Sequence, residues 1–259
     1  MVFQNSRSKS QIGIATSIAR TAGYDWRETL RLAQDLDVRL VQFYLPPIEH
    51  LEVELQTLRD ELPIDWQTLF HLPPCPHSKM FGYLRTLKKY FPASVLIQHE
   101  KFFNRKTEDA ISEAGFLPAP ENDALSGAEL SSFREQLVSI LKHNNAKLVP
   151  VLDISRFFHQ FHHRYESEAI TREALSILQL IQQYDLPLIL HVIDHISFAA
   201  KRRNWRPLFN GDLPWKRILQ DVILQNINLR YVIFEYETPD STASSIKNLL
   251  TNFPETFRL

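Results

Sequence analysis

Cys75 is the only cysteine in the chain, which excludes an intrachain disulfide framework and any zinc site built from several thiolates. A lone thiol also fits a reducing compartment. An excess of charge of one sign is missing too. The 29 Lys and Arg residues against 30 Asp and Glu leave a formal net charge of -1, so there is no bulk positive footprint for nucleic acid and no polybasic face for anionic lipid. No apolar run reaches the roughly 20 residues that cross a bilayer, and the opening "MVFQNSRSKSQ" lacks the charged-then-apolar order of a signal peptide. No Gly/Ser-rich linker or break in composition divides the chain. These absences predict a soluble cytoplasmic protein with no nucleic-acid or membrane partner. The domain would run from residue 11 to residue 259 behind a flexible segment of residues 1–10.

What is present is a rhythm. The chain has 259 residues, 44% of them hydrophobic, enough for one large core and within the size of a single α/β barrel of about 250 residues. Short apolar runs alternate with longer periodic ones. "QIGIATS", "VRLVQFYLPP", "DWQTLFHLPP" and "ASVLIQHE" read as the first four strands, and "KLVPVLDIS", "LPLILHVID" and "LRYVIFEYE" as the last three. Between them lie helical stretches such as "DWRETLRLAQD", where Asp25 followed by Glu28 has capping-box spacing, and "SEAITREALSILQLIQQYD". The joint after His99 is irregular: "KFFNRKTED" is short for a covering helix, so the fifth strand is placed at "AISEAGF". Eight strands with crossovers between them imply parallel pairing. The expected fold is a single-domain (β/α)8 TIM barrel with an abbreviated connection between strands 4 and 5.

Active sites of such barrels lie at the C-terminal ends of the strands. Those ends supply His71, His99, Glu113, Asp153, His191 and Glu235. Three carboxylates converging there need neutralising, because each buried ionised group costs several kcal/mol in desolvation. A divalent cation held by Glu113, Asp153, His191 and Glu235 does this, and a mostly oxygen donor set suits Mn²⁺, Mg²⁺ or Co²⁺ at least as well as Zn²⁺. A metal there could polarise a carbonyl or hydroxyl oxygen while carboxylates move a proton on and off carbon. "RFFHQFHHRYES" after the sixth strand reads as a solvated or stacking histidine cluster. Lys201, Arg202 and Arg203 in "AAKRRNW" read equally as a phosphate contact or a solvated loop.

The pieces "IGIATS", "GYDWRETLRLAQDLDVRLVQFYL", "LFHLPP", "VPVLDIS", "LILHVID" and "NGDLPWKRIL" followed by "YVIFEYE" resemble the xylose-isomerase-like TIM-barrel superfamily, from Ile12 to about Leu250. The superfamily includes sugar and sugar phosphate isomerases and epimerases as well as apurinic endonucleases. The resemblance implies that Glu113, Asp153, His191 and Glu235 hold one metal, that Glu113 and Glu235 exchange a proton at a substrate carbon, and that His71 and His99 lie near the substrate. Where the superfamily often has histidine, three residues past the sixth-strand Asp, this chain has Arg156, a fixed cation that predicts binding of a carboxylate or phosphate. By alternation the strand carrying His191 should stop near Ile193, leaving Asp194 to turn back in the loop, where it would orient that histidine or pair with a basic residue. The expected activity is isomerisation or epimerisation of a small polyhydroxylated or phosphorylated substrate. The alternative is a non-catalytic barrel of the same descent that binds a ligand or a protein.

Overall fold

The computed structural model describes residues 9–75, 77–123, 125–143, 147–196 and 204–259. Eight of its strands are parallel neighbours around one closed sheet: β1 (Ser10–Ala15), β2 (Leu40–Tyr44), β3 (Gln67–His71), β4 (Val95–His99), β5 (Leu117–Glu121), β6 (Val151–Asp153), β7 (Leu188–Val192) and, after two short ribbon strands, β10 (Leu229–Phe234). The sheet closes because β10 pairs back onto β1, Ile12 opposite Val232 and Ile14 opposite Phe234. This is the TIM barrel the strand and helix rhythm predicts. No helix among the described residues is long and apolar enough to cross a membrane.

Alternation along each strand sorts its side chains into two cores. Ala15, Leu40, Leu69, Val95, Ile97, Ala119, Val149, Val151, Ile189, Tyr231 and Ile233 pack inside the barrel. The intervening residues, such as Phe43, Phe70, Leu96, Leu152, Leu190 and Phe234, pack outward against the helices. The helix α1 (Trp26–Asp35) starts where expected, its Asp25 side chain accepting from Glu28 N at 2.8 Å, and it buries Trp26, Leu30 and Ala33.

The fifth strand is not where the apolar pattern placed it. "AISEAGF" is instead the end of helix α4 (Arg105–Glu113) and its exit. Asn104 caps that helix by accepting from Thr107 N at 3.2 Å, and Gly115, at φ 90, turns the chain out of it, a left-handed conformation that glycine adopts without strain. The strand that follows is "LPAPE". Pro118 and Pro120 lie on the side of β6, where Pro118 O accepts from Val149 N at 3.0 Å and one pair, Glu121 with Val151, bridges the strands. The donors that proline lacks are therefore absent only on that side. Toward β4 the same strand makes five registered pairs. The segment after β6 also differs from the expected loop: helix α6 (Ile154–Phe161) starts directly from Asp153.

Beyond β7 the chain forms a two-stranded antiparallel ribbon, β8 (Asp194–Ile196) with β9 (Asn204–Arg206). Residues 1–8 and the basic triplet Lys201, Arg202 and Arg203 lie outside the described residues. Asp194 does not reach His191. Its buried carboxylate accepts from four backbone N–H groups, those of His195, Phe209, Gly211 and Leu213, at 2.9 to 3.3 Å. Trp215 Nε1 closes the same turn by donating to Ile193 O at 2.9 Å. Asp194 thus ties the "NGDLPW" loop to the end of β7, and its expected role as an orienting partner of His191 is corrected to that of a loop clamp. A Cβ on Gly211 would overlap Asp194 Oδ1 and lie 2.7 Å from His195 N. Gly211→Ala is therefore expected to destabilise the protein by about 2–4 kcal/mol, measured by urea unfolding; a loss below about 0.5 kcal/mol would show that the clamp is not rigid.

Candidate metal centre

The inward rows that are apolar through the barrel become polar at its C-terminal end. Two residues past Leu40 comes Gln42, and two further on Tyr44. Past Leu69 comes His71, past Ile97 His99, past Ala119 Glu121, past Val151 Asp153, past Ile189 His191 and past Ile233 Glu235. One period-two rule therefore aims all of these side chains at the same mouth. Gln42, His71, Glu121, Asp153, His191 and Glu235 are all buried.

Among the described residues two groups of ligand-type atoms result, each with its atoms within 4.8 Å of one another: Glu121, Asp153, His191 and Glu235, and His71, His99 and Glu121. Glu121 belongs to both. Its Oε1 lies 3.1 Å from His191 Nδ1, and its Oε2 lies 2.8 Å from His71 Nε2 and 3.3 Å from His99 Nε2. His191 Nε2 is 2.7 Å from Gln42 Oε1. An amide oxygen only accepts, so Nε2 carries a proton and Nδ1 is the atom turned toward Glu121 and Glu235. The same Gln42 amide donates to Glu235 Oε1 at 3.0 Å, and Tyr44 OH donates to that oxygen at 3.0 Å.

Asp153 links the centre to the backbone that follows. Its Oδ1 caps α6 by accepting from Arg156 N at 2.8 Å, and its Oδ2 lies 3.3 Å from Arg156 Nε. The rest of the guanidinium reaches Asp123 Oδ2 at 3.2 Å, His99 Nε2 at 2.9 Å and Glu121 Oε1 at 3.8 Å. Arg156 is engaged with the protein's own groups.

Of the residues expected at the site, His71, His99, Asp153, Arg156, His191 and Glu235 come together. Glu113 does not: it is exposed on the last turn of α4, and Glu121 stands in the fifth-strand position instead. Glu113 stands near the end of "AISEAG", which reads as the fifth strand, whereas the strand is "LPAPE" and ends on Glu121. Gln42, Tyr44 and Asp123 were missed. The alternation Leu40, Gln42, Tyr44 would have pointed to the first two. In the histidine cluster on α6, the rings of His159 and His162 are 5.9 Å apart and stacked.

The sequence matches no protein-family profile and no curated protein. Solved structures do match. The IolI protein with a bound zinc atom superposes with a TM-score of 0.63 at 14% identity, covering 97% of this chain and 100% of that one. The probable 3-DHS dehydratase AsbF of Bacillus anthracis gives 0.59 at 14%, over 93% and 99% of the two chains. A D-tagatose 3-epimerase-like protein gives 0.58 at 13%, over 96% and 97%. This chain has the TIM-barrel fold that these structures share.

Within that fold the centre is an ionic network. Burial alone would raise the Glu121 carboxyl, but Arg156, His191 and His71 around it hold it well below the usual carboxylate range. Burial presses the His191 imidazole down, yet Glu235 and Glu121 together lift it to about 9. Tyr44 is pushed well above its ordinary value by burial and by Glu235 and Glu121, so it stays a donor. At the rim, burial lifts Glu100 to about 7 against a hydrogen bond from Ser132 Oγ at 2.9 Å. Glu100 binds its proton more tightly folded than unfolded, where the value is 4.5. Its contribution therefore favours the fold below about pH 4.5 and is lost as pH rises through 7. Glu100→Gln should raise stability at pH 8 by up to about 3 kcal/mol and leave it unchanged at pH 4. Thermal melts at the two pH values check this, and equal shifts at both would contradict it.

Proposed function

We propose that Glu121, Asp153, His191 and Glu235 hold one divalent metal ion and that the protein isomerises or epimerises a small polyhydroxylated or phosphorylated substrate by proton transfer at carbon. One observation carries the reading: three carboxylates and one imidazole nitrogen, all buried, converge within 4.8 Å at the C-terminal mouth of the barrel. Three oxygens and one nitrogen suit Mn²⁺, Mg²⁺, Co²⁺ or Zn²⁺. Gln42 fixes His191 with Nδ1 turned toward the carboxylates, which is the tautomer a ligand needs. A structural neighbour with a bound zinc and another described as epimerase-like support the same reading.

A bound metal would supply Lewis-acid polarisation of a substrate carbonyl or hydroxyl oxygen. In this reading Glu121 and Glu235 take and return a proton at the adjacent carbon. Tyr44 and Gln42 donate to Glu235 Oε1 and set its orientation, and His71 and His99 line the Glu121 side as substrate contacts. A non-catalytic ligand-binding barrel is the second reading. It is favoured by Arg156, which already pairs with Asp153 and Asp123.

Metal analysis after expression in Mn²⁺-, Co²⁺- and Zn²⁺-supplemented media separates the two. The enzyme reading expects about one equivalent, lost in His191→Ala, with affinity lowered about 10- to 100-fold in Gln42→Ala. It also expects solvent deuterium at carbon when ketoses and their phosphates are incubated in D₂O, slowed by about 10²- to 10⁴-fold in Glu235→Gln. A metal-free protein with no exchange would leave the binding scaffold.

A further inference from the structure

We propose that Arg156 is a built-in cation standing in the place of a second metal ion, so that this barrel mouth accepts one metal and refuses another. The proposal rests on the metal-centre reading above and adds its stoichiometry.

The donors at the mouth are numerous enough for two ions. The group His71, His99 and Glu121 overlaps the group Glu121, Asp153, His191 and Glu235 through the shared Glu121 carboxylate, and a carboxylate with one oxygen turned to each group is the usual form of a bridge between two metals. The guanidinium lies where the groups meet. It touches His99 Nε2 of the second group at 2.9 Å and, in the first group, Asp153 Oδ2 at 3.3 Å and Glu121 Oε1 at 3.8 Å, with Asp123 at 3.2 Å beyond. All four of those side chains are metal-ligand types gathered around an organic cation.

Chemistry makes the substitution exclusive. A guanidinium has only donors, so the 2.9 Å contact with His99 requires that Nε2 present its lone pair to Arg156. That lone pair is the one a metal in the second group would need, because Nε2 is also the His99 nitrogen facing Glu121. His99 Nδ1 points elsewhere, 3.0 Å from Asp123 Oδ2. Arginine does not lose its proton in proteins, so the blockade is not relieved by pH as a lysine or histidine blockade would be. A dication entering beside it would meet a fixed like charge in a largely buried place, where screening is weak. The position is also fixed. Arg156 N is held by Asp153 Oδ1, so the side chain leaves the first turn of α6 directly over the centre.

The test is a count of metal. Chelator-stripped full-length protein is titrated with Mn²⁺ by calorimetry, and the loaded protein is examined by electron paramagnetic resonance. Wild type should bind one equivalent and show an uncoupled Mn²⁺ signal. Arg156→Met, which removes the charge, and Arg156→His, which replaces it with a ligand, should bind two and show a spin-coupled pair. Arg156→Lys retains a cation and should stay at one. Circular dichroism and thermal melts establish that each variant is folded. Two equivalents in wild type would overturn the proposal without recourse to any variant, and so would one equivalent in folded Arg156→Met and Arg156→His. No Mn²⁺, Co²⁺ or Zn²⁺ bound by wild type would instead remove the metal-centre reading, and this proposal with it.

Discussion

Glu121, Asp153 and Glu235 are buried carboxylates at one end of a closed barrel, and the need to neutralise them governs everything around them. Desolvating even one such charge costs several kcal/mol unless a cation and hydrogen bonds compensate. The protein gathers His71, His99, His191 and Arg156 into the same few ångströms, and Gln42 and Tyr44 spend their donors on Glu235. The rows below are apolar and packed. Inside the barrel the charged groups are thus confined to the C-terminal layer, where they satisfy one another without exposing the strands beneath to water.

That layer was legible wherever a strand showed plain alternation. "KLVPVLDIS", "LPLILHVID" and "LRYVIFEYE" each carry an inward row that turns from apolar to ionisable at Asp153, His191 and Glu235, so these three could be read directly. Glu121 could not. Its strand is "LPAPE", and two prolines argue against a central strand because each withholds a ladder donor. Here both face the side where β5 and β6 share a single pair, so the cost is small. "AISEAG" lacks strand alternation: Ala110 and Ile111 are buried and Ser112 and Glu113 exposed, the grouping of one helix face rather than the period of two. The decisive signals were the cap at Asn104 and the glycine at 115.

Gln42 and Asp194 show a different limit. Sequence reading weighs ionisable groups because they carry chemistry, and it pairs neighbours along the chain. Asp194 lies three residues from His191 and was assigned to it, but the ribbon after β7 turns its carboxylate onto four backbone donors of residues 195 to 213. The partner that orients His191 is a neutral amide 149 residues away in sequence. A neutral group suits the task. It accepts from Nε2 and donates to Glu235 at once, tying imidazole and carboxylate together without adding a charge to a site already crowded with them.

The geometry of β6 explains how such a centre can change its charge without changing its backbone. Asp153 ends the strand and caps α6 in the same residue, so no loop intervenes and position 156 falls at the third residue of the helix. The capped N–H holds that residue in place whatever its side chain. A histidine there would add a ligand to the mouth; an arginine adds a permanent positive charge that reaches Asp153, Asp123 and Glu121 together. The electrostatic character of the whole mouth therefore turns on one side chain whose main chain is fixed by a neighbouring carboxylate. The strands beneath, packed on Val149, Val151 and Ile189, need not move to accommodate either choice.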